Sequence, residues 1–272
     1  MPQVINAKII ENRTITNGNT ITMKAVFKSE KIANEAMPGQ FVNVSVTSNK
    51  NLLDPILKRP ISIHDINKNE GTFSVIYTVV GKGTDLLSKA CVGEKLQIVG
   101  PLGRGFDILK GKEVSHVIIG GGCGVAPLYF LAKEILKTSN KVSVFSGFST
   151  DKAIFCKDFY YNILEQKIST DDGTYGESGF VTKLLKDYLK TSLNLKNTVI
   201  YTCGPTLMMK AVYNICKDFG IKNCQVSLEN VMACGVGVCT GCVTKIKSFG
   251  KEFEYKRVCK DGPVFNGDDL LW

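Results

Sequence analysis

Residues 114–137 decide the fold and read VSHVIIGGGCGVAPLYFLAKEILK. The run at 114–119 is typical of a buried parallel strand, and the segment at 126–137 has the pattern of a helix. The glycine-rich turn GGGCGVAP at 120–127 joins them. A helix that starts behind such a turn presents backbone N–H groups to a dinucleotide pyrophosphate. The spacing is not GxGxxG, so a plain tight turn is the alternative.

The chain beyond this unit continues to alternate strands with helices. The predicted strands are 141–148, 198–202 and 225–228, and the predicted helices lie near 159–166 and at 206–219. This alternation predicts a parallel sheet with helices on both faces, which we assign to residues 106–228. Cys203-Gly204-Pro205 forms a second strand-to-helix turn. Because ligands bind at the carboxyl ends of parallel strands, the two turns could line one crevice.

The first 105 residues have a different pattern. Short runs rich in Val, Ile, Phe and Thr alternate with Gly and Pro turns, and they lie at 20–27, 40–46, 72–79 and 95–99. Regularly spaced short strands of this kind predict a small antiparallel β-barrel over residues 1–105.

Three stretches of this predicted barrel suit a phosphate-bearing, planar cofactor. RPIS at 59–62 combines a guanidinium that can clamp a phosphate with a hydroxyl that can donate to a ring nitrogen. Tyr77 offers a ring that can stack. The turn GKGT at 81–84 runs into a helical start, and its backbone N–H groups could hold a pyrophosphate. Each stretch alone has a structural explanation, but their combination favours a cofactor site.

Four of the ten cysteines lie close together near the C-terminus: Cys234, Cys239, Cys242 and Cys259. Their spacing, C-x4-C-x2-C-x16-C, begins like the plant-type pattern of [2Fe–2S] ligands. The glycines between them let a loop fold closely around a cluster and point N–H groups at the sulfurs. A structural zinc site is the alternative, although zinc sites more often use two paired C-x2–4-C motifs. We assign residues 229–272 to a small third module.

Composition excludes some classes of protein. The N-terminal residues 1–14, MPQVINAKIIENRT, contain no apolar signal segment, so we expect a cytoplasmic protein whose cysteines are not paired in disulfides. The most apolar long stretch, 117–136, is broken by glycines and carries Lys133 and Glu134, which argues against a membrane span. The net charge of +9 comes from lysines scattered along the chain, which favours solvated surfaces over a nucleic-acid site.

The remaining cysteines and the two histidines have simpler interpretations. Five cysteines are predicted to be ordinary buried thiols, and these are Cys91, Cys123, Cys156, Cys216 and Cys224. Cys203 is the exception because it lies in a candidate binding turn. His64 and His116 are predicted to be structural, so this chain offers no second substrate site of its own.

Read together, five stretches resemble one family: RPIS (59–62), IYTVVGKGT (76–84), GGGCGVAP (120–127), CGP (203–205) and VCKDGPVF (258–265). They resemble the electron-transfer subunit of the NAD-dependent class, class B, of dihydroorotate dehydrogenase, in the ferredoxin–NADP reductase superfamily. The resemblance covers essentially the whole chain. It implies a multi-domain fold: an N-terminal antiparallel β-barrel FAD domain, a parallel α/β NAD domain and a small C-terminal [2Fe–2S] module.

The resemblance also implies roles for individual residues. The FAD would be held by Arg59, Pro60, Ile61 and Ser62, would lie against Ile76, Tyr77 and Thr78, and would place its phosphates at Gly83 and Thr84. The NAD side would be formed by Gly120, Gly121, Gly122, Gly124, Cys203, Gly204 and Pro205, with Cys203 near the nicotinamide. The four clustered cysteines would bind the [2Fe–2S] cluster. The chain departs from the family at Thr78, where Arg is frequent, and at Asn230, where an acidic residue is common.

The implied function is an electron relay in pyrimidine biosynthesis. Electrons from an FMN-bearing catalytic partner that oxidises dihydroorotate would pass through the cluster and FAD to NAD⁺, within a heterotetramer of two plus two subunits. One alternative is the small subunit of an NADH-dependent ferredoxin–NADP reductase or of a sulfide dehydrogenase. The stretch 147–152 has no Arg to bind a 2′-phosphate, which favours NAD. Another alternative is a zinc-containing module that binds nucleic acid.

Overall fold

The computed structural model describes residues 3–18, 20–49, 54–111, 113–138, 141–157, 159, 165–248 and 250–272. Its strands are β1 (Gln3–Asn17), β2 (Ile21–Lys28), β3 (Phe41–Val44), β4 (Arg59–Asn67), β5 (Thr72–Thr78), β6 (Lys95–Leu102), β7 (Ser115–Gly121), β8 (Val142–Phe148), β9 (Glu165–Thr170), β10 (Glu177–Ser178), β11 (Thr198–Cys203), β12 (Asn223–Ser227), β13 (Val243–Ser248), β14 (Lys251–Arg257) and β15 (Val264–Asn266). Its α-helices are α1 (Glu30–Glu35), α2 (Lys82–Ser88), α3 (Val125–Ile135), α4 (Val181–Thr191) and α5 (Thr206–Asp218). Among the described residues, no helix has the length and apolar character needed to cross a membrane.

The N-terminal strands close into the predicted antiparallel barrel. The strands follow one another around it in the order β1-β2-β5-β4-β3-β6, and β6 pairs back with β1. The strands alternate buried and exposed positions, as in β6, so one face of each strand fills the barrel core. Phe27 and Phe73 stack in that core with ring centroids 5.4 Å apart. The sequence pattern of the first 105 residues therefore gave the correct architecture.

The second sheet has the order β10-β9-β8-β7-β11-β12-β15, and all its pairs are parallel except β12–β15. Alternate residues of β7 face opposite layers. Ile118 packs in the core that contains α3, whereas Val117 and Ile119 pack in the core that contains α4 and α5. This double burial explains why the strand is a nearly continuous apolar run.

The helix predicted near 159–166 is wrong where the structure can be compared with it. Glu165 and Gln166 begin β9, which pairs in parallel with β8. Phe159 lies in a turn, and residues 160–164 lie outside the described residues. The periodicity of a short run such as EQKIST does not distinguish a strand from a helix. Here the run forms a strand because it pairs with the edge of β8.

The C-terminal segment does not fold apart from the rest. The strands β13 and β14 form an antiparallel hairpin, and the chain then returns to add β15 to the edge of β12. Val226 and Phe265 are partners in that pair. The whole cysteine-bearing segment between β12 and β15 is consequently attached to the second sheet at both of its ends. The predicted boundaries at 105/106 and 228/229 stay predictions.

Candidate functional site

A cleft of about 480 Å³ lies where the barrel meets the second sheet. This volume is within the usual range for a small-molecule site. Eight of the residues predicted to contact FAD line it, and these are Arg59, Pro60, Ile61, Ser62, Ile76, Tyr77, Thr78 and Thr84. The antiparallel pairing of β4 with β5 explains the convergence, because it places the start of β4 and the end of β5 at the same end of the strand pair.

Arg59 is the cationic group of this cleft. Its Nη1 donates to the Leu57 carbonyl at 2.6 Å, and it has no ion pair with any described residue. The guanidinium lies against Gly83, where a Cβ atom would overlap it. Gly83 therefore leaves room for a positive charge at the mouth of the cleft, where a phosphate could be bound bidentately.

Tyr77 and Thr84 support the cleft in different ways. Tyr77 is only 4% exposed, and burial raises the pKa of its phenol, so the ring is a neutral wall. Its hydroxyl is 3.4 Å from Asn12 Oδ1. The Thr84 hydroxyl accepts from the backbone N–H groups of Val80 and Gly81 at 3.0 and 3.2 Å. That hydroxyl shapes the 81–84 turn itself.

The two glycine turns of the second sheet touch each other. Cys203, the last residue of β11, pairs in register with Gly120 of β7. A Cβ atom on Gly124 would lie 2.5 Å from the Cys203 carbonyl oxygen, so only glycine allows this approach. Gly122 and Gly204 have φ values of +52° and +147°, which favour glycine. Gly121 packs against Pro205 and Met208.

The two cysteines in these turns differ in access. Cys203 is 1% exposed and does not line the cleft, and burial raises the pKa of its thiol. Cys123 does line the cleft, and its Sγ is 3.9 Å from the Ile76 carbonyl oxygen. Burial raises the pKa of Cys123 to about 11. The prediction that Cys123 is an ordinary buried thiol therefore missed a residue in contact with the candidate flavin site.

Sequence reasoning missed other walls of the cleft as well. They are Phe41, Val80, Pro127, Leu228, Glu229, Asn230, Met232 and Pro263. Half of them come from the segment that directly follows β12, and the switch from a strand to the polar pair Glu229-Asn230 was the available signal. Glu229 is exposed at the surface, but the protein around its carboxyl group still desolvates it enough to raise its pKa.

The four clustered cysteines lie on one loop and at the turn after β14. Cys242 and Cys259 are each 2% exposed, Cys234 is half-buried and Cys239 is exposed. The loop therefore has a buried side against the protein and one thiol at the surface. Gly235 and Gly237 have φ values of +69° and +84°, as predicted for glycines between these cysteines, whereas Gly241 does not have a positive φ.

The four cysteines form two pairs, each joined by a backbone N–H···S hydrogen bond. The Cys239 N–H donates to Cys234 Sγ at 3.5 Å, and the Cys259 N–H donates to Cys242 Sγ at 3.4 Å. Among the described residues, no three Cys, His, Asp or Glu side chains converge on a single metal ion. Two thiol pairs suit two irons that each take two thiolates, so the donor set fits a [2Fe–2S] cluster.

Backbone donors make Cys234 ready to act as a thiolate ligand. Desolvation alone would raise its pKa, but the N–H groups of Val236, Val238 and Cys239 donate to its sulfur at 3.4–3.5 Å. The net effect lowers the pKa of Cys234 to about 6. Desolvation and the contact with Cys242 raise the pKa of Cys259 to about 12. Such N–H···S contacts are the support that metal-binding thiolates use.

Arg257 braces this loop from the end of β14. Its Nη1 donates to the Gly237 carbonyl at 3.0 Å, and its Nε donates to Asp261 Oδ2 at 3.1 Å. The Asp261 carboxylate also accepts the backbone N–H of Arg257 at 2.9 Å. The turn that carries Cys259 and the loop that carries Cys234 are thereby tied together.

The other thiols and the histidines mostly have the environments that the sequence predicts. Cys156, Cys216 and Cys224 are buried, but Cys91 is exposed, so its predicted burial is wrong. Its position in the turn after α2 places its side chain at the surface. His64 and His116 are 3% and 1% exposed. His64 donates through Nδ1 to the Ala126 carbonyl at 2.7 Å, and so links the barrel to α3.

Comparisons with known proteins agree with this geometry. Residues 229–271 match the family model described as the iron–sulfur cluster binding domain of dihydroorotate dehydrogenase B, and residues 118–214 match that of an oxidoreductase NAD-binding domain. A dihydroorotate dehydrogenase B (NAD⁺) electron transfer subunit from Fusobacterium nucleatum is 39% identical over 250 residues, which are 92% of each chain. The subunit of that name from Desulforamulus reducens is 37% identical over the full length of both chains.

Solved structures show the same fold. An NADH-dependent reduced ferredoxin–NADP oxidoreductase, studied for flavin-based electron bifurcation, has a TM-score of 0.82 and 27% identity, and the match covers 98% of this chain and 90% of that one. A ferredoxin–NADP⁺ reductase from Neisseria gonorrhoeae with bound FAD and NADP has a TM-score of 0.64 and 18% identity, over 80% and 92% of the two chains. The iron–sulfur match over residues 229–271 sets aside the zinc alternative.

Proposed function

Because this chain belongs to the family of electron transfer subunits of dihydroorotate dehydrogenase B (NAD⁺), we propose that its partner is an FMN-containing catalytic subunit that oxidises dihydroorotate. The chain is an oxidoreductase subunit that delivers the electrons to NAD⁺ for pyrimidine synthesis and uses FAD and a [2Fe–2S] cluster to do so. We further propose a cytoplasmic heterotetramer of two subunits of each kind.

FAD exchanges two electrons with a nicotinamide as a hydride and also passes electrons singly, whereas a [2Fe–2S] cluster carries one electron at a time. The residues of this chain supply positions for that chemistry. Arg59 offers a guanidinium for the flavin phosphates, and Tyr77 closes one wall with a neutral ring. The turns at Gly120–Gly124 and Cys203–Pro205 offer backbone N–H groups at the start of α3 and α5 for the nicotinamide nucleotide.

One observation carries the proposal: a single short segment belongs to both sites. Leu228, Glu229 and Met232 line the flavin cleft. Cys234, the first cysteine of the cluster loop, follows Met232 by two positions. The two redox centres are therefore built on adjacent residues, which gives electrons a short path between them.

The outer side of the cluster loop suits a docking partner. Val231 and Val238 are 85% and 80% exposed, and Cys239, which directly follows Val238, is exposed as well. Exposed apolar side chains that surround a polar or redox group are typical of protein interfaces. We place the catalytic subunit on this face, where its own cofactor would approach the cluster most closely.

The test is purification of the chain with the proteins that accompany it. The proposal predicts a brown-yellow complex that contains FAD, FMN and two irons per copy of this chain, and that reduces NAD⁺ with dihydroorotate. A complex without FMN, or one that binds flavin and iron but shows no reaction with dihydroorotate, would contradict it. Substituting aspartate at Val231 and Val238 should dissociate the partner while both cofactors of this chain remain bound.

A second candidate function has one observation in its favour. The match to the NADH-dependent reduced ferredoxin–NADP oxidoreductase covers nearly the whole of this chain with a TM-score of 0.82. The alternative is a small subunit that exchanges electrons with a partner acting on ferredoxin and NADP. It predicts a partner without dihydroorotate activity, and co-purification distinguishes the two. The family match at up to 39% identity favours the first function.

A further inference from the structure

Asn43 lies on the strand that separates the candidate flavin cleft from the cysteine loop. In β3, Val42 and Val44 pack in the barrel core, whereas Phe41 packs in the core that contains Cys242 and Cys259. Asn43 has the same orientation as Phe41, because side chains alternate along a strand. It pairs in register with Pro60 of the flavin motif on neighbouring β4.

The burial of Asn43 needs a reason. Its side chain is 1% exposed, and its Oδ1 has no hydrogen-bond partner among the described residues. A buried amide with an unpaired oxygen is unfavourable in a barrel wall, where an apolar residue would avoid the loss of hydration. The polar group is therefore better explained by what lies beyond the barrel than by the packing of the barrel.

The neighbour beyond the barrel is the cluster loop. A Cβ atom on Gly235 would lie 2.7 Å from Asn43 Nδ2, so the amide rests directly on the backbone of Gly235. Gly235 follows Cys234 and precedes Val236, whose N–H donates to Cys234 Sγ. The position of Asn43 thus sets the position of the loop backbone around that sulfur.

We propose that Asn43 is a positioning residue for electron transfer, whose amide holds the cluster loop against the strand pair that forms the flavin cleft. This fixes the separation between the two redox centres and keeps the backbone N–H groups aimed at Cys234. The inference rests on the proposed function, since it takes the cleft as the FAD site and the loop as the cluster site.

The first test is the midpoint potential of the cluster in the purified, cofactor-loaded chain. Asn43→Leu preserves the volume but removes the amide, so the loop loosens and the N–H groups stabilise the reduced cluster less well. The equilibrium constant for reduction should fall by about threefold, or roughly 28 mV for one electron. Thr16→Val is the matched control, because it removes another unpaired buried polar atom from the same barrel. It should leave the potential unchanged.

A second test exploits the two strained glycines. Gly235→Ala and Gly237→Ala share the cost of a positive φ, but a Cβ at 237 would meet the flexible side chain of Lys260 instead of Asn43. Adding Asn43→Ala should restore iron content in Gly235→Ala and not in Gly237→Ala. If Asn43→Leu fails to fold, this comparison of iron contents alone tests the proposal. Iron content that recovers equally in both glycine variants, or in neither, rejects it.

Different outcomes count against the proposed function and against the role of Asn43. A wild-type chain that binds neither flavin nor iron would count against the proposed function. Fully loaded Asn43→Leu with the wild-type potential and the wild-type electron paramagnetic resonance spectrum would reject the role of Asn43 and leave the proposed function standing.

Discussion

Cys123 and Cys203 show that a residue's position in a sequence motif does not establish whether its side chain reaches the cleft. Both lie in glycine-rich turns at the edge of the second sheet, but Cys123 lines the cleft whereas Cys203 is buried and does not line it. The candidate cluster site could be proposed from the sequence because three of its four cysteines lie on one loop, where ligands leave their spacing in the sequence. Cleft walls such as Phe41 and Met232 were not, because the packing of distant elements brings them together.

Arg257 gives a prediction at the scale of one residue. Arg257→Ala removes the donor to the Gly237 carbonyl and the ion pair with Asp261, so the loop should release iron more readily. We expect cluster loss in the presence of a chelator to be about tenfold faster, as for other residues that support metal ligands. Lys256→Ala, at the neighbouring position, is the control. Equal rates of cluster loss in both variants would show that Arg257 does not stabilise the loop.

His64 gives a prediction about pH. Burial lowers its pKa to about 4, although the bond to Ala126 opposes the shift. In the unfolded chain the histidine takes up a proton near pH 6.5, so its contribution to stability falls as pH decreases from about 6.5 to 4. The loss should reach about 2 kcal/mol by pH 5. Urea unfolding at pH 7.5 and pH 5 measures it.

The variant His64→Gln keeps an N–H donor without this titration. Its free energy of unfolding should depend less on pH over the same interval, although it starts from a lower value at pH 7.5. A variant with the same pH dependence as the wild type would show that other groups cause the acid destabilisation.

At the scale of elements, the carboxyl ends of β8 and β9 matter most for nucleotide choice. Sequence reasoning found β8 and the absence of arginine after it, but it assigned the start of β9 to a helix. The structure places Asp171 and Asp172 directly after β9. Thr174 connects this pair to Asp151, which lies three residues after the end of β8. Its hydroxyl accepts from the Asp151 N–H at 2.9 Å and donates to Asp172 Oδ1 at 2.7 Å.

This acidic edge predicts discrimination against NADP. Carboxylates at the strand ends suit a ribose 2′-hydroxyl and repel a 2′-phosphate. The double variant Asp151→Ser/Asp172→Ser should raise kcat/KM for NADPH relative to NADH by about tenfold in dye-reduction assays. Asp187→Ser removes an exposed charge from α4 and should leave that ratio unchanged. A double variant with the wild-type ratio would mean that the nucleotide binds elsewhere.

At the scale of the whole molecule, the barrel, the parallel sheet and the cysteine loop meet around one cleft. The order of these parts was predictable, since a change of hydrophobic pattern marks the transition from barrel to parallel sheet and the cysteine spacing marks the C-terminal module. The return of the chain was not predictable, because β15 has only three residues and its pairing with β12 is set by the whole fold. That return attaches the cysteine-bearing segment to the sheet, and the Leu228 N–H donates to the Pro263 carbonyl at 2.9 Å beside the candidate flavin cleft.

The relay itself is tested most directly in Cys259→Ser, assayed with the catalytic partner. We compare dihydroorotate-dependent reduction of NAD⁺ with NADH-dependent reduction of an artificial dye, and use Cys91→Ser, which changes an exposed thiol far along the chain, as the control. The first activity should fall by about 100-fold, and the second should stay close to the wild-type rate because it needs only the flavin. An equal loss of both activities would contradict an electron path that runs through the cluster.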